Sequence, residues 1–176
     1  TNTIAVENTI GYVSLDYGTE GYMIQQIDNV GKFVDKGFTW VLAEGYPQTD
    51  FFGAHNTLHY HHFSPNIDWI TDFAKSTFSK FSITLIKQMP GMAIPQHVDK
   101  FYHFLSLHGL SDGVKIFRAN IFLEDWKSGH YFEAGEEPIV KWRAGQYCIL
   151  DNTVLHRSGN LGDVPKYTAQ VTGIKL

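Results

Sequence analysis

Residues 90 to 99 read Pro90-Gly91-Met92-Ala93-Ile94-Pro95-Gln96-His97-Val98-Asp99. The segment places the imidazole of His97 two positions before the carboxylate of Asp99. Because side chains on an extended strand alternate between its two faces, both groups point to the same side and can share one metal ion. One histidine far along the chain, His156, is our candidate for a third ligand. Two imidazoles and one carboxylate on one face of an octahedron leave the opposite face open for other ligands.

The surrounding sequence indicates whether this His-x-Asp pair is a metal site or a chance occurrence. An isolated His-x-Asp pair is more often a surface or turn pair, and nine histidines make an accidental one common. Here a Pro90-Gly91 turn precedes the pair, a turn at 142–145 precedes the strand that leads to His156, and Lys166 follows His156 by ten positions. This context favours the 2-His-1-carboxylate site of non-haem Fe(II) oxygenases.

Length and composition restrict the class of protein. A chain of 176 residues suits a single domain, 1–176, and its 15% aromatic content is typical of a β-rich fold. The formal net charge of -4 supplies no basic field for a phosphate backbone, so nucleic-acid binding is disfavoured. No apolar run approaches the roughly twenty residues that span a bilayer, and we expect a soluble, cytoplasmic protein with no membrane partner.

The one cysteine, Cys148, cannot form an intrachain disulfide and lies in the apolar run Tyr147-Cys148-Ile149-Leu150. A thiol in such surroundings behaves as a small hydrophobe, so we assign it to the core.

Hydrophobic periodicity predicts many short strands and one helix. The helix opens at Ser64 and Pro65 and carries an apolar stripe at i, i+3 and i+4 spacing, and from Phe81 the period switches to two. The predicted strands are 9–15, 22–27, 39–42, 81–88, 114–124, 130–132, 138–142, 146–150, 153–156 and 166–174. These elements predict a mainly β fold, an antiparallel sandwich or jelly roll with a flanking helix and supporting N-terminal strands.

The segment 46–63 is irregular and holds His55, His59, His61 and His62. His59 and His61 could bind metal by the same alternation, but no third ligand stands at a defined spacing, so we interpret the segment as a loop or edge strand.

Charge counting adds a second component to the predicted site. One carboxylate and two neutral imidazoles leave a divalent ion with excess positive charge, which favours an anionic co-substrate that chelates through two oxygens. A dicarboxylate keto acid then needs a cation at its far end, and Lys166 is well placed for this because the turn at 158–165 returns the last strand beside His156. By composition alone, a lysine at the start of a strand is more often solvated.

The run His97-Val98-Asp99, then His156, then Lys166-Tyr167-Thr168-Ala169 resembles the 2-oxoglutarate and Fe(II)-dependent dioxygenases, particularly the prolyl-hydroxylase-like group. In that group a Lys or Arg that binds 2-oxoglutarate follows the distal histidine by about ten residues. Arg118-Ala119-Asn120 and Trp142-Arg143-Ala144-Gly145 are also similar to the aspartyl/asparaginyl β-hydroxylase branch. The likeness covers about residues 81 to 174.

The resemblance implies a double-stranded β-helix with the metal at its mouth, held by His97, Asp99 and His156 as the catalytic centre. It implies Fe(II), 2-oxoglutarate and O2, with ascorbate as an optional addition, and hydroxylation of a C–H bond in a protein side chain or an amino-acid-like small molecule. Two departures matter. Gln88 stands nine residues before the first ligand, where prolyl-hydroxylase members often have Tyr, and Asp99 is present where the β-hydroxylase branch often lacks a carboxylate.

Further residues are assigned by their position on the strands. Arg118 and Asn120 share one face and, if it is inward, lie near the co-substrate or a carboxylate-bearing substrate; an outward face is equally compatible with the pattern. An inward arginine requires an anionic partner. Candidates for other roles are Gln88 for co-substrate binding, Arg157 as a weaker substitute for Lys166, Tyr102 and His103 for the substrate mouth, and Trp126 and Trp142 for core packing.

Two other functions stay open at this level. A cupin-like metal enzyme without 2-oxoglutarate would share the fold, although cupins usually carry a closer His-x-His pair. A non-enzymatic β-sandwich module, with its aromatic residues binding a ligand such as carbohydrate, would need no metal. The sequence does not identify the substrate or the oligomeric state.

Overall fold

The computed structural model describes residues 68–176 and three short strands before them, Gly11–Tyr12, Val34–Asp35 and Leu58–His62. Two helices are present in this part of the chain, α1 (Asp68–Thr77) and α2 (Tyr102–His108). The strands are β1 (Gly11–Tyr12), β2 (Val34–Asp35), β3 (Leu58–His62), β4 (Phe78–Gln88), β5 (Ala93–His97), β6 (Phe117–Phe122), β7 (His130–Ala134), β8 (Glu137–Ile139), β9 (Gln146–Asp151), β10 (His156–Asn160) and β11 (Lys166–Lys175).

The strands form two antiparallel sheets. The larger has the order β1-β9-β6-β11-β4-β3-β2, and the smaller has the order β5-β10-β7-β8. Phe122 of the large sheet and Phe132 of the small sheet meet edge to face with ring centroids 5.7 Å apart, so the two sheets face each other. This arrangement confirms the predicted mainly β, jelly-roll architecture.

The two faces of the large sheet have different roles because side chains alternate along each strand. Ala119, Ile121, Ala169 and Val171 are fully buried in a cluster with the apolar side of α1. The intervening residues of β6 are Arg118, Asn120 and Phe122, and Phe122 packs with Phe132, Trp142 and Cys148 between the sheets. The helix side of the sheet is therefore a hydrophobic core. The face toward the small sheet carries the polar residues Arg118 and Asn120 as well as the apolar Phe122.

The apolar stripe predicted for α1 is confirmed at Ile70, Phe73 and Ala74, which are all buried, and Trp69, which the stripe did not include, is buried beside them. Its predicted start at Ser64 and Pro65 lies outside the described residues, as do the predicted strands 22–27 and 39–42 and the residue His55. The predicted strand 9–15 is described only at Gly11–Tyr12.

Several predicted boundaries were wrong. The strand predicted at 114–124 is β6, which covers only Phe117–Phe122, and the strand predicted at 138–142 is β8, which ends at Ile139. Residues 153–155 do not form a strand: Thr153 lies in a turn, where the carboxylate of Asp151 accepts hydrogen bonds from its backbone N–H and hydroxyl, and Val154 and Leu155 are irregular.

Helix α2 is a finding that the sequence pattern did not predict. It begins after Phe101, which has a left-handed backbone, and ends at Gly109 with a φ of 59°. Its buried residues are Phe104 and Leu105. Seven residues are too few to display a helical period, so tertiary contacts decide this element. Neither α1 nor α2 is long and apolar enough to cross a membrane, and the described residues contain no other helix.

Candidate functional site

Antiparallel pairing between β5 and β10 brings two of the predicted ligands together. His97 and His156 are direct partners in this ladder, and their ring centroids lie 4.3 Å apart. Partners in a ladder point to the same face of the sheet, so both imidazoles reach the same space between the sheets. His156 is buried and His97 is partly buried.

Asp99 follows the end of β5 and turns its carboxylate toward both rings. Its Oδ1 lies 3.6 Å from Nε2 of His97, and its Oδ2 lies 3.4 Å from Nε2 of His156. The ligand atoms of the three residues all lie within 4.8 Å of one another. The structure therefore gathers the three side chains whose convergence the sequence predicted into one cluster.

A backbone contact fixes which nitrogen of His156 faces this cluster. Nδ1 of His156 lies 3.0 Å from the carbonyl oxygen of Val154. A carbonyl only accepts, so Nδ1 carries the hydrogen, and Nε2 is the nitrogen that faces Asp99. His156 therefore offers Nε2 to a metal at this point.

The carboxylate of Asp99 is held in its ionised form. Burial alone would raise the pKa of Asp99, but the Arg118 guanidinium and the neighbouring histidines outweigh burial and bring that pKa well below its usual range. Nη1 of Arg118 donates to Oδ2 of Asp99 at 2.9 Å. An anionic oxygen donor is thus present beside two imidazoles at neutral pH.

A second polar cluster surrounds Lys166, which is only 2% exposed. Its Nζ donates to Oε1 of Gln88 at 3.1 Å, to Oγ of Ser158 at 3.0 Å and to the carbonyl oxygen of Tyr131 at 2.9 Å. No carboxylate of the described residues forms an ion pair with it. Burial lowers the pKa of Lys166 to about 7. This lysine is therefore not the solvated residue that composition alone favours.

The loop before Lys166 is held by Asn160, which is completely buried. Its Nδ2 donates to the carbonyl oxygens of Gln88 and Val164, and its Oδ1 accepts from the backbone N–H of Gly162. These bonds tie the end of β4 to the loop between β10 and β11, so they fix where Lys166 enters the interior.

Arg118 and Asn120 both face inward, which decides between the two orientations that the sequence left open. Arg118 pairs with Asp99, so the anionic partner that an inward arginine requires is the predicted ligand itself. Oδ1 of Asn120 accepts from Nε2 of Gln170 at 2.9 Å, while its buried Nδ2 has no hydrogen-bond partner among the described residues. An unsatisfied buried donor of this kind is costly unless a ligand accepts from it.

Other predicted residues lie apart from these clusters. Arg157 is half exposed and pairs with Glu133 at 2.8 Å, on the face of β10 opposite His156. Tyr102 is 40% exposed and His103 is exposed, both on α2, and their role at a substrate mouth stays a prediction. Of the His59 and His61 side chains on β3 nothing is described.

The core assignments are confirmed. Trp142 is buried against Phe122, with stacked rings 4.0 Å apart, and Trp126 packs against the same cluster. Burial raises the pKa of the Cys148 thiol to about 12, so this cysteine is a neutral core residue.

Two contributors to the Lys166 cluster were missed from sequence. Ser158 stands two positions after His156 on β10, and the alternation along that strand places Ser158 on the face of His156. The position of Ser158 could therefore have been predicted from the sequence. The carbonyl of Tyr131 was not predictable, because every residue carries one.

Comparisons with known proteins support the fold. No protein-family model and no curated protein matches the sequence. Among solved structures, a Pseudomonas putida prolyl-4-hydroxylase matches with a TM-score of 0.67 and 11% identity over 97% of this chain and 94% of that one. A non-haem alpha-ketoglutarate-dependent epimerase, SnoN from nogalamycin biosynthesis, matches with a TM-score of 0.58 and 11% identity over 95% of this chain and 77% of that one. At these identities the likeness establishes a shared fold.

Proposed function

We propose that this chain is an Fe(II) and 2-oxoglutarate-dependent oxygenase that hydroxylates a C–H bond in a protein side chain or an amino-acid-like substrate. The observation that carries the proposal is the convergence of His97, Asp99 and His156 within 4.8 Å in a fold shared with a prolyl-4-hydroxylase and an alpha-ketoglutarate-dependent epimerase.

The donor set fits Fe(II). Two imidazole nitrogens and one carboxylate oxygen are the ligands of the facial triad, and the Nδ1 hydrogen bond of His156 presents the lone pair of Nε2 to the cluster. His97, Asp99 and His156 would hold the ion. When bound, Fe(II) supplies the redox chemistry that the reaction of O2 requires, while the protein orients the reactants and excludes competing reactions.

The Lys166 cluster fits the distal carboxylate of 2-oxoglutarate. The buried ammonium donates to three neutral acceptors, so an anion that replaces one of them gains a stronger, charge-assisted hydrogen bond. The free Nδ2 donor of Asn120 is available to an oxygen of the same ligand or of the substrate. In the proposed reaction the substrate C–H becomes C–OH, 2-oxoglutarate becomes succinate and CO2, and O2 supplies one oxygen atom to each organic product.

The test is anaerobic titration of the purified protein with Fe(II), followed by succinate formation from 2-oxoglutarate in air. We expect one Fe(II) per chain and succinate in the wild type, with both lost in His97→Ala and Asp99→Ala. Asp112→Ala, which removes an exposed carboxylate, is the matched control and should change neither. A wild-type protein that binds no iron and forms no succinate contradicts the proposal.

Lys166→Ala separates this function from a cupin-like metal enzyme. The proposed oxygenase should keep Fe(II) and lose 2-oxoglutarate affinity, because only the anion depends on the ammonium. A metal-binding wild type with no dependence on 2-oxoglutarate would favour the cupin-like alternative.

A further inference from the structure

Arg118 occupies an unusual position next to the candidate metal centre. Its Nη1 donates to Oδ2 of Asp99 at 2.9 Å, and its Nε donates to Oγ1 of Thr172 at 3.0 Å. Thr172 is also its direct partner in the ladder between β6 and β11. The guanidinium is thus anchored by a rigid strand on one edge while its other edge holds a single oxygen of the carboxylate.

A third contact fixes the plane of this guanidinium. The Cζ atom of Arg118 lies 5.0 Å from the centroid of the Phe101 ring. Phe101 is buried and has a φ of 56°, a conformation that costs a residue with a side chain about 1–2 kcal/mol. This left-handed residue stands two positions after Asp99 and directly before α2. The chain therefore turns at Phe101, and Arg118 contacts both the ring of Phe101 and the carboxylate of Asp99.

The two oxygens of Asp99 are consequently in different surroundings. Each oxygen lies near one imidazole, Oδ1 at 3.6 Å from Nε2 of His97 and Oδ2 at 3.4 Å from Nε2 of His156, but only Oδ2 accepts a hydrogen bond from Arg118. A carboxylate can bind a metal through one oxygen or through both. With both oxygens bound, the three residues would fill four of the positions of an octahedron. With one bound they fill three, which leaves two for a chelating keto acid and one for O2.

We propose that Arg118 is a positioning residue that keeps Asp99 a one-oxygen ligand, with Oδ2 reserved for the guanidinium and Oδ1 for the metal. The inference rests on the proposed function, since it concerns how many positions of that metal stay open. Arg118 acts through Asp99 and touches neither the metal nor the co-substrate.

A purely structural ion pair and a purely electrostatic effect predict different outcomes. If Arg118 only stabilises the local fold, its removal weakens metal and 2-oxoglutarate binding together. If it only adds positive charge near the ion, its removal strengthens metal binding and leaves the number of open positions unchanged. The proposal requires that metal binding is kept or strengthened while 2-oxoglutarate binding to the loaded protein is weakened, because Oδ2 then takes a position that the keto acid needs.

The experiment uses Mn(II) as the probe, with four variants beside the wild type. Arg118→Met removes the guanidinium at similar volume, and Arg118→Lys keeps the charge but cannot reach Asp99 and Thr172 together. Thr172→Val removes only the strand anchor. Arg157→Met is the matched control, because it breaks the 2.8 Å ion pair between Arg157 and Glu133 on the outer face of β10.

Three quantities are measured: Mn(II) affinity by calorimetry, 2-oxoglutarate affinity of the Mn(II)-loaded protein, and the number of exchangeable waters on Mn(II) from water-proton relaxation. We expect Arg118→Met to keep or gain Mn(II) affinity, to lose one water, and to bind 2-oxoglutarate about tenfold more weakly. Arg118→Lys and Thr172→Val should shift in the same direction by less, and Arg157→Met should match the wild type.

The outcomes separate this inference from the proposed function. A wild type that binds no Mn(II) overturns the proposed function and the inference together. A wild type that binds Mn(II) and 2-oxoglutarate, with variants at Arg118 and Thr172 that lose both ligands in parallel or keep the water count, overturns the inference alone. Should Arg118→Met fail to fold, Thr172→Val gives the decision, because it removes the strand anchor that fixes the guanidinium on Oδ2 and keeps the charge of Arg118.

Discussion

Gln88 and Lys166 are direct partners in the ladder between β4 and β11, and their side chains also meet, with Oε1 of Gln88 3.1 Å from Nζ of Lys166. The same Oε1 accepts from Oγ of Ser158 at 2.7 Å. A neutral amide therefore occupies the place where a carboxylate would neutralise the lysine. The buried charge is supported by dipoles and stays available to an anion that enters the interior.

The first prediction follows from the neutral charge of the Gln88 amide. Gln88→Glu places an anionic oxygen beside Nζ, so the ammonium is already paired before a ligand arrives. We expect the affinity for 2-oxoglutarate, measured by calorimetry on the Mn(II)-loaded protein, to fall at least about tenfold, the equivalent of one lost charge-assisted hydrogen bond. Gln88→Met has similar length without a charge and should lose less. Equal losses in the two variants would mean that the amide, and not the charge balance, matters.

The second prediction concerns pH. Burial lowers the pKa of Lys166 to about 7, and an anion bound beside Nζ favours its charged form. Above pH 7, binding of 2-oxoglutarate must therefore take up a proton, and its affinity should decline as pH rises from 7 to 9. Proton uptake is measured by calorimetry at pH 8 in buffers of different ionisation enthalpy. Lys166→Arg stays charged throughout this range, so its profile should be flat; a wild type equally flat would refute the assignment.

The same group makes stability depend on pH in a defined direction. The pKa of Lys166 is about 7 in the folded state and 10.5 as its ordinary value, so the unfolded state binds more protons between these limits. Stability should then rise with pH across this window, with a slope of up to about 1.4 kcal/mol per unit. The cost of the buried charge is full below pH 7 and vanishes above the unfolded pKa.

Lys166→Met removes this cost, which gives a third prediction. Relative to the wild type, the variant should gain most stability below pH 7 and least near pH 10, as measured by urea unfolding of the ligand-free protein at pH 6 and 9.5. The comparison uses the change with pH, since the lost hydrogen bonds to Gln88 and Ser158 contribute a nearly constant offset. A difference that does not change with pH would contradict the buried, titrating ammonium.

The sequence predicted the parts of the site that depend on strand alternation and spacing. The two-residue spacing predicted that His97 and Asp99 share a side, and the structure brings both side chains into one cluster, although Asp99 lies beyond the end of β5. The predicted turn at 158–165 begins later, because residues 158–160 belong to β10, and β11 does not pair with β10: the two strands lie in different sheets, and Lys166 reaches β10 at Ser158. The jelly-roll class follows from the alternation along the strands.

Contacts between segments that are far apart in the chain could not be predicted from alternation and spacing. The pairing of Arg118 with Asp99 depends on the separation of β6 from the end of β5, which no spacing in the sequence encodes. Helix α2 is another example, since its seven residues fold with Phe104 and Leu105 packed in one cluster with Phe101 and Ile116. The periodicity of the sequence indicates which face of a strand or helix a residue occupies. The residue that it contacts is known only from the tertiary structure.

The last prediction compares two glycines at either end of β7. Gly129 has a φ of 84°, and a Cβ there would lie 2.2 Å from the backbone nitrogen of Gly162, in the loop that leads to Lys166. Gly135 also has a positive φ, of 65°, but a Cβ there would meet nothing within 4 Å. Gly135→Ala should thus cost only the backbone strain of about 1–2 kcal/mol. Gly129→Ala should cost about 1–3 kcal/mol more, because two backbones must separate.

The separation should also displace the polar cluster around Lys166. The backbone N–H of Leu161 donates to the carbonyl oxygen of Gly129 at 2.8 Å, so displacement of Gly129 moves the loop that Asn160 holds against Val164 just before Lys166. Urea unfolding of both variants gives the stability difference, and calorimetry of the Mn(II)-loaded proteins gives the affinity for 2-oxoglutarate. We expect a weakened affinity in Gly129→Ala and an unchanged one in Gly135→Ala. Equal stability losses would show that the loop yields without strain, so the close approach of Gly129 and Gly162 would not be what fixes Lys166.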